Sequence, residues 1–214
     1  MKTKLLATAL IIALNTQVFA FTKADELLNA IESQNADLVE SLVRNGVDLN
    51  LDVAEHNTTP LMHAVDTSTV DIVENLIKHG SKVDVADNSG TTPLIYSIKT
   101  NKQEIASLLI KKSRNINMQD NKGASALHYA AKKGNETLFK QIVKSGGNLK
   151  AIDDSGNNAL FHALEGRNKR IINDLIATRQ FDLAHKNKSG ETAVKVAQRV
   201  GLNDVATRIS RGRN

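Results

Sequence analysis

The sequence of 214 residues contains no cysteine, no tryptophan and only two prolines. Without cysteine the chain can form no disulfide, and it cannot carry the acylated cysteine of a bacterial lipoprotein. A chain without thiols suits an oxidising compartment, where a cysteine could pair wrongly. The absences therefore favour an exported protein that needs no covalent cross-link.

A hydrophobic run long enough to span a membrane is missing at the N-terminus. The apolar run Leu5–Leu14 follows two lysines and is about ten residues long, whereas a spanning helix needs about twenty. With Val18 and Ala20 at a cleavage site, the pattern is typical of a secretory signal peptide. We expect residues 1–20 to be removed, leaving Phe21 first; a retained anchor is the weaker alternative. The expected location is the periplasm, with secretion as the alternative.

The two signs of charge are separated along the chain. Residues 21–97 contain 13 acidic and 4 basic side chains, a net charge of −9, whereas residues 98–214 contain 10 acidic and 22 basic ones, a net charge of +12. Such a field can steer a charged partner toward the protein. The alternative is an unevenly charged, solvated surface.

Scarce aromatics argue against a nucleic-acid partner. Only two tyrosines and no tryptophan are available for base stacking, and export argues against contact with nucleic acid. Lysines spaced around helices are usually a solvated face. If the basic half does have an electrostatic target, an acidic protein or an anionic membrane surface is the better candidate.

The sequence repeats one short motif at a constant interval. The motif Thr59-Pro60-Leu61 is followed at equal spacing by Thr92-Pro93-Leu94, Ser125-Ala126-Leu127 and Asn158-Ala159-Leu160. The second and third motifs follow the turns Asp87-Asn88-Ser89-Gly90 and Asp120-Asn121-Lys122-Gly123, and the motif begins a helix with a capping side chain. A second helix follows in each unit. A fixed period of this length predicts an array of two-helix units with a continuous core.

The second helices carry apolar residues at helical spacing, as in Leu138, Phe139, Ile142 and Val143. Glycines that allow a left-handed cap are predicted to end three of them: Gly46, Gly80 and Gly146. Four residues are predicted to close first helices in the same way: Asn35, Asn101, Gly134 and Gly201. Ser68 and Arg167 are the expected exceptions.

The repeat resembles the ankyrin repeat, whose pattern runs Asp-x-x-Gly-x-Thr-Pro-Leu-His-x-Ala-Ala and closes with Leu-Leu and Gly. The unit 120–152 fits best, with Gly123, Leu127, His128 and Gly134 in place. The resemblance covers about residues 24–209. It implies an all-α ankyrin repeat solenoid of about six helix pairs joined by β-hairpin-like turns. Proline is replaced by alanine in three units, and one residue is inserted after the first unit and again around 180–183.

The resemblance divides the mature chain, residues 21–214, as a single domain. The predicted units are 24–53 as an N-terminal cap, 54–86, 87–119, 120–152, 153–186, and 187–214 as a C-terminal cap.

The family usually binds partners through its turn tips and concave surface, which implies candidate contact residues at the tips: Asn88, Ser89, Asn121, Lys122, Asp154, Ser155, Asn187 and Lys188. A second set recurs at the repeat spacing on the first helices: His63, Tyr96, Tyr129 and His162. These four are interpreted either as rings packed between helices with a local hydrogen-bond partner, or as a contact stripe that aligns along the array.

No reactive site is expected. The six histidines offer no pair at metal-ligand spacing, and the carboxylates are mostly turn aspartates that bond backbone amides. No phosphate loop, dinucleotide fingerprint or nucleophile elbow is present. His128 is interpreted as a structural residue that bonds to the neighbouring turn.

We therefore expect a non-enzymatic periplasmic scaffold, monomeric when free and without a cofactor or metal, that binds one cognate protein. The role suggested by the resemblance is an inhibitor, immunity or accessory protein of a secreted toxin or lipase. The alternative is a secreted effector that binds a host protein or an anionic membrane surface.

Overall fold

A computed structural model describes residues 23–53 and 57–211. The predicted signal peptide and its cleavage site lie outside the described residues. The chain divides after Val83 into two compact units, which we call unit 1, residues 23–83, and unit 2, residues 84–211. The assignment of residues 21–214 to a single domain, with its repeat boundaries, stays a prediction.

Unit 1 contains four helices among its described residues. Helix α1 covers 23–32, and it is followed by α2 (Ala36–Arg44), α3 (Pro60–Thr67) and α4 (Val70–Lys78). Helix α4 packs against both α3 and α2. The core is apolar and sealed from solvent: Leu27, Ile31, Val39, Leu61, Val65 and Val73 are fully buried. Burial of such side chains from adjacent helices holds the unit together.

Unit 2 contains four helix pairs, which are α5 (Pro93–Lys99) and α6 (Gln103–Lys112), α7 (Ala126–Lys133) and α8 (Glu136–Lys144), α9 (Ala159–Glu165) and α10 (Lys169–Ala177), and α11 (Ala193–Arg199) and α12 (Asn203–Arg211). The first helices α5, α7, α9 and α11 contact one another in succession, and so do α6, α8 and α10. The buried leucines Leu94, Leu127 and Leu160 recur at the repeat spacing. Unit 2 is therefore a stack of helix pairs whose core is continuous from pair to pair.

The turns between pairs have the form of short hairpins. Antiparallel bridges join Gln119 to Ser125 and Lys186 to Thr192, and no longer strand occurs in the described residues. The helices begin at the predicted caps, because the side chains of Thr59, Thr92 and Asn158 accept hydrogen bonds from first-turn amides. The predicted all-α fold of helix pairs and hairpin-like turns is confirmed.

Two predictions about helix ends are wrong. Asn35 does not close α1, because Gln34 takes the left-handed conformation (φ 54°) and Asn35 caps the start of α2. The Asn35 side chain accepts a hydrogen bond from the Leu38 amide, and this bond stabilises the start of α2 more than a left-handed Asn35 would stabilise the end of α1. Arg167, expected to be an exception, is left-handed as well (φ 56°). Among the described residues, no helix is both long and apolar enough to cross a membrane.

Candidate functional site

Each turn tip of unit 2 is closed by one side-chain oxygen. Asp120 Oδ1 accepts hydrogen bonds from the backbone amides of Lys122 and Ala124, both at 3.0 Å. The same two-amide pattern is found at Asp87, Asp153 and Asn187. An Asx turn of this kind fixes the backbone of the loop that follows it. The turn aspartates thus have the structural role that their positions predicted.

The tips are joined to one another by backbone hydrogen bonds. The amide of Asp154 donates to the Lys122 carbonyl and the amide of Lys188 to the Ser155 carbonyl, both at 2.9 Å. Asn121 bonds in the same way to Ser89. The structure therefore brings together all eight candidate tip residues, which we call the tip surface: Asn88, Ser89, Asn121, Lys122, Asp154, Ser155, Asn187 and Lys188. Asn187 is half-buried and the other seven are exposed.

Glycine is required where one tip approaches the next. Gly123 has φ +70°, and a Cβ built on it would lie 2.7 Å from the amide nitrogen of Asp154. Gly90 is in the same situation, with the amide nitrogen of Asn121 at 2.7 Å. Real Cβ atoms do not approach backbone atoms so closely, and the positive φ already favours glycine. The close approach is what allows the backbone bond between neighbouring tips.

Two residues of the predicted first-helix set support the tips from behind. The Tyr129 hydroxyl donates to Asp120 Oδ2 at 2.6 Å, and His162 Nε2 lies 3.0 Å from Asp153 Oδ2. Burial raises the pKa of the Tyr129 phenol, and the Asp120 carboxylate raises it further. Each aspartate therefore uses one oxygen for its turn and the other for its own first helix, and the tip is held rigidly.

The remaining members of that set are His63 and Tyr96. His63, in unit 1, is paired with Glu32 at 2.9 Å. Tyr96 is half-buried on α5. The ring that His162 meets belongs to His128, at a centroid distance of 5.0 Å and an interplanar angle of 62°. The local hydrogen bonds of His63, Tyr129 and His162 match the packing interpretation of the set; whether any of the four contacts a partner stays a prediction.

His128 is a buried, neutral imidazole. Its Nδ1 accepts from the Ser125 amide at 3.0 Å and its Nε2 donates to the Ala151 carbonyl at 3.0 Å. Burial lowers the pKa of His128 to about 4, and the nearby His162 lowers it as well. The ring connects the start of α7 to the chain that enters the next tip. The structural interpretation of His128 agrees with this geometry.

Comparison with protein families decides the identity of the array. A family model of ankyrin repeats in three copies matches residues 27–120 and 127–210, and a second ankyrin model, for many copies, matches residues 98–144. This chain belongs to the ankyrin repeat family. A search of curated proteins found no significant match.

Ankyrin repeats form protein–protein interaction scaffolds, and most ankyrin repeat proteins are not enzymes. The Ser125 hydroxyl lies 3.0 Å from His128 Nδ1. Both residues are buried. In the described residues, no cluster of three His, Asp or Glu side chains could hold a metal ion.

Sequence reasoning did not include among its partner-binding candidates the exposed, charged side of the first helices of unit 2. We call this the first-helix face, and it consists of five cations and one anion: Lys99, Lys132, Lys133, Lys195, Arg199 and Glu165. Glu165 lies 3.5 Å from Lys132 and 3.7 Å from Arg199. Lys99 Nζ lies 5.4 Å from the Tyr129 ring centroid, within the range of a cation–π contact. The recurrence of Lys99, Lys132 and Glu165 at the repeat spacing, continued by Arg199 after the one-residue insertion, was the signal available in the sequence.

Proposed function

We propose that this ankyrin protein is a non-enzymatic scaffold that binds one cognate protein through the tip surface and first-helix face of unit 2. The observation that carries the proposal is the hydrogen-bonded row of tips. Rigid exposed polar groups lose little conformational entropy on binding, which favours specific association. Exposed loops held by a rigid framework are where binding residues are usually found.

We propose further that the partner presents an acidic surface. The first-helix face carries an excess of positive charge, because among the described residues its five cations have only Glu165 and the neighbouring Glu191, which lies 3.0 Å from Arg199, as anionic partners. Complementary charge raises the association rate and selects against wrong partners. A secreted toxin or lipase that the protein inhibits, protects against or assists is our candidate, with export to the periplasm through the signal peptide.

The first experiment is affinity purification from the periplasmic fraction, with the wild-type protein compared with Lys122→Glu/Lys188→Glu. The variant reverses two charges on the tip surface, so the partner should be lost or reduced about tenfold. The matched control is Lys111→Glu/Lys112→Glu, which reverses two exposed lysines at the end of α6. Equal recovery of the partner with both variants would show that the tip surface does not bind it.

A second candidate function rests on the same cations. A secreted effector would use the first-helix face against a host protein or an anionic membrane surface. Recovery of the mature protein from the medium, rather than from an osmotic-shock fraction, favours this alternative. Co-sedimentation with vesicles of anionic lipid, absent with neutral lipid, would select the membrane surface.

A further inference from the structure

An apolar cavity opens between the second helices α8 and α10, apart from the tip surface and the first-helix face. Its volume is about 250 Å³, just below the usual range of small-molecule sites. Phe139, Leu149 and Leu175 are buried around it, and Val143 is half-buried. The lining is therefore almost entirely hydrocarbon.

The repeat register explains why the space is left open. The residue that corresponds to Val143 in the preceding repeat is Ile110, and its side chain is only 4% exposed. Valine is one methylene shorter than isoleucine. The groove between α8 and α10 is consequently less well filled than close packing favours.

Two lysines, Lys140 and Lys144, line the cavity, and they differ in their ion-pair partners. Lys140 Nζ lies 3.5 Å from Asp174 Oδ2, across the groove. Lys144 is exposed, and the ion pairs of the described residues do not include it. Lys144 therefore offers an ammonium group beside a hydrocarbon surface.

We propose that this cavity binds a small alkyl carboxylate, with the alkyl chain between α8 and α10 and the carboxylate at Lys144. The apolar lining gains from burial of a hydrocarbon chain. The cation at the rim selects an anionic head group over a neutral or cationic one. The small volume limits the ligand to a short or medium chain. The site does not depend on the partner-binding role proposed for the tips.

The test is calorimetric titration of the full mature chain with octanoate. We expect saturable binding at one site, with a Kd on the order of 1 mM for a ligand of this size. Octylammonium, which has the same chain and the opposite charge, should bind at least about fivefold more weakly. Absence of saturable octanoate binding would overturn the proposal.

Single substitutions in the cavity and at its rim locate the ligand. Val143→Phe fills the cavity and should weaken octanoate binding at least about tenfold; Val143→Ile, which copies the preceding repeat, is the milder substitute if the first does not fold. Lys144→Gln should weaken octanoate about threefold to tenfold and leave octanol unchanged. Lys111→Gln, the same change at the corresponding position of the preceding repeat, should have no effect. Binding that survives both cavity-filling changes would place the ligand elsewhere and contradict the proposal.

One further outcome separates this site from a docking surface. If octanoate does not bind but Val143→Phe reduces recovery of the protein partner, the groove accepts an apolar side chain of that partner, and the small-ligand proposal is wrong. Loss of the partner on changing the tip surface, with octanoate binding retained, leaves the two sites independent.

Discussion

His128 shows how a single residue is tuned by its surroundings. The imidazole is fully buried and makes hydrogen bonds through both nitrogens, to the Ser125 amide and the Ala151 carbonyl. The groups that face it are His162, Asp153 and Asp120, and the two carboxylates partly oppose the effect of burial on its pKa. Burial outweighs the two carboxylates, and the ring is therefore neutral near pH 7.

We predict that the ring makes stability depend on pH. The pKa of His128 is about 4 in the folded protein, against 6.5 ordinarily, so between these values the unfolded chain binds the extra proton. The stabilisation is complete above pH 6.5 and is lost as the pH falls toward 4. Unfolding by urea should show a loss of about 2 kcal/mol from pH 7 to pH 5, with His162, whose pKa is also lowered, acting in the same direction.

The matched variant is His128→Phe, because phenylalanine occupies the corresponding position as the buried Phe161. The variant should be less stable than the wild type at pH 7, since the Ser125 amide loses its acceptor. Its stability should change less with pH. A urea midpoint that falls as steeply in the variant as in the wild type would show that other groups cause the pH dependence.

At the scale of the element, the turn tip combines local closure with contact to its neighbour. Asp120 and Asp153 each close their own tip and bind their own first helix, so the tip moves as one body with α7 or α9. The bond to the next tip then needs only one backbone amide and one carbonyl. Because this bond uses only backbone atoms, the exposed tip residues can differ from repeat to repeat while the geometry of the tips stays the same.

We predict that Gly123→Ala is much more destabilising than Gly190→Ala. The two glycines have nearly the same φ, +70° and +71°, so both substitutions carry the same conformational cost. Only Gly123 faces another tip, whereas nothing lies within 4 Å of a Cβ on Gly190. The difference in unfolding free energy, measured by chemical denaturation, should be about 2 kcal/mol. Equal effects of the two changes would mean that the neighbouring tip moves away at little cost.

At the scale of the whole molecule, charge is distributed unevenly along the sequence. The net charge of −9 over residues 21–97 and of +12 over residues 98–214 nearly cancels in the total. A partner therefore meets a local field that the overall charge does not reveal. In unit 2, part of the positive charge is exposed on the first-helix face.

We predict that association with the cognate protein is strongly dependent on salt. The association rate should fall about tenfold or more between roughly 50 and 500 mM NaCl, because the screening length shortens below the separation of the surface charges. Surface plasmon resonance on the captured partner measures this rate directly. Lys132→Glu/Lys195→Glu should lower the low-salt rate and flatten its dependence on salt; a rate that is insensitive to salt would exclude electrostatic steering.

The sequence by itself determined the repeat, the helix pairs, the caps and the exposed tips. These features depend on local rules: Thr59, Thr92 and Asn158 cap helices wherever they stand before one, and a fixed period repeats one unit whatever its surroundings. The eight tip positions followed from the same register. The family could therefore be identified from residues whose interactions lie within a single repeat.

Only the tertiary structure decided which side chains contact each other between neighbouring repeats. Three features depend on distances between helices. Gly123 lies close to the Asp154 backbone, and His162 contacts the ring of His128 rather than one of its own set. A cavity remains beside Val143. The physical reason is packing: interatomic gaps of a few tenths of an ångström decide these contacts, and a periodic pattern of residue types does not contain them.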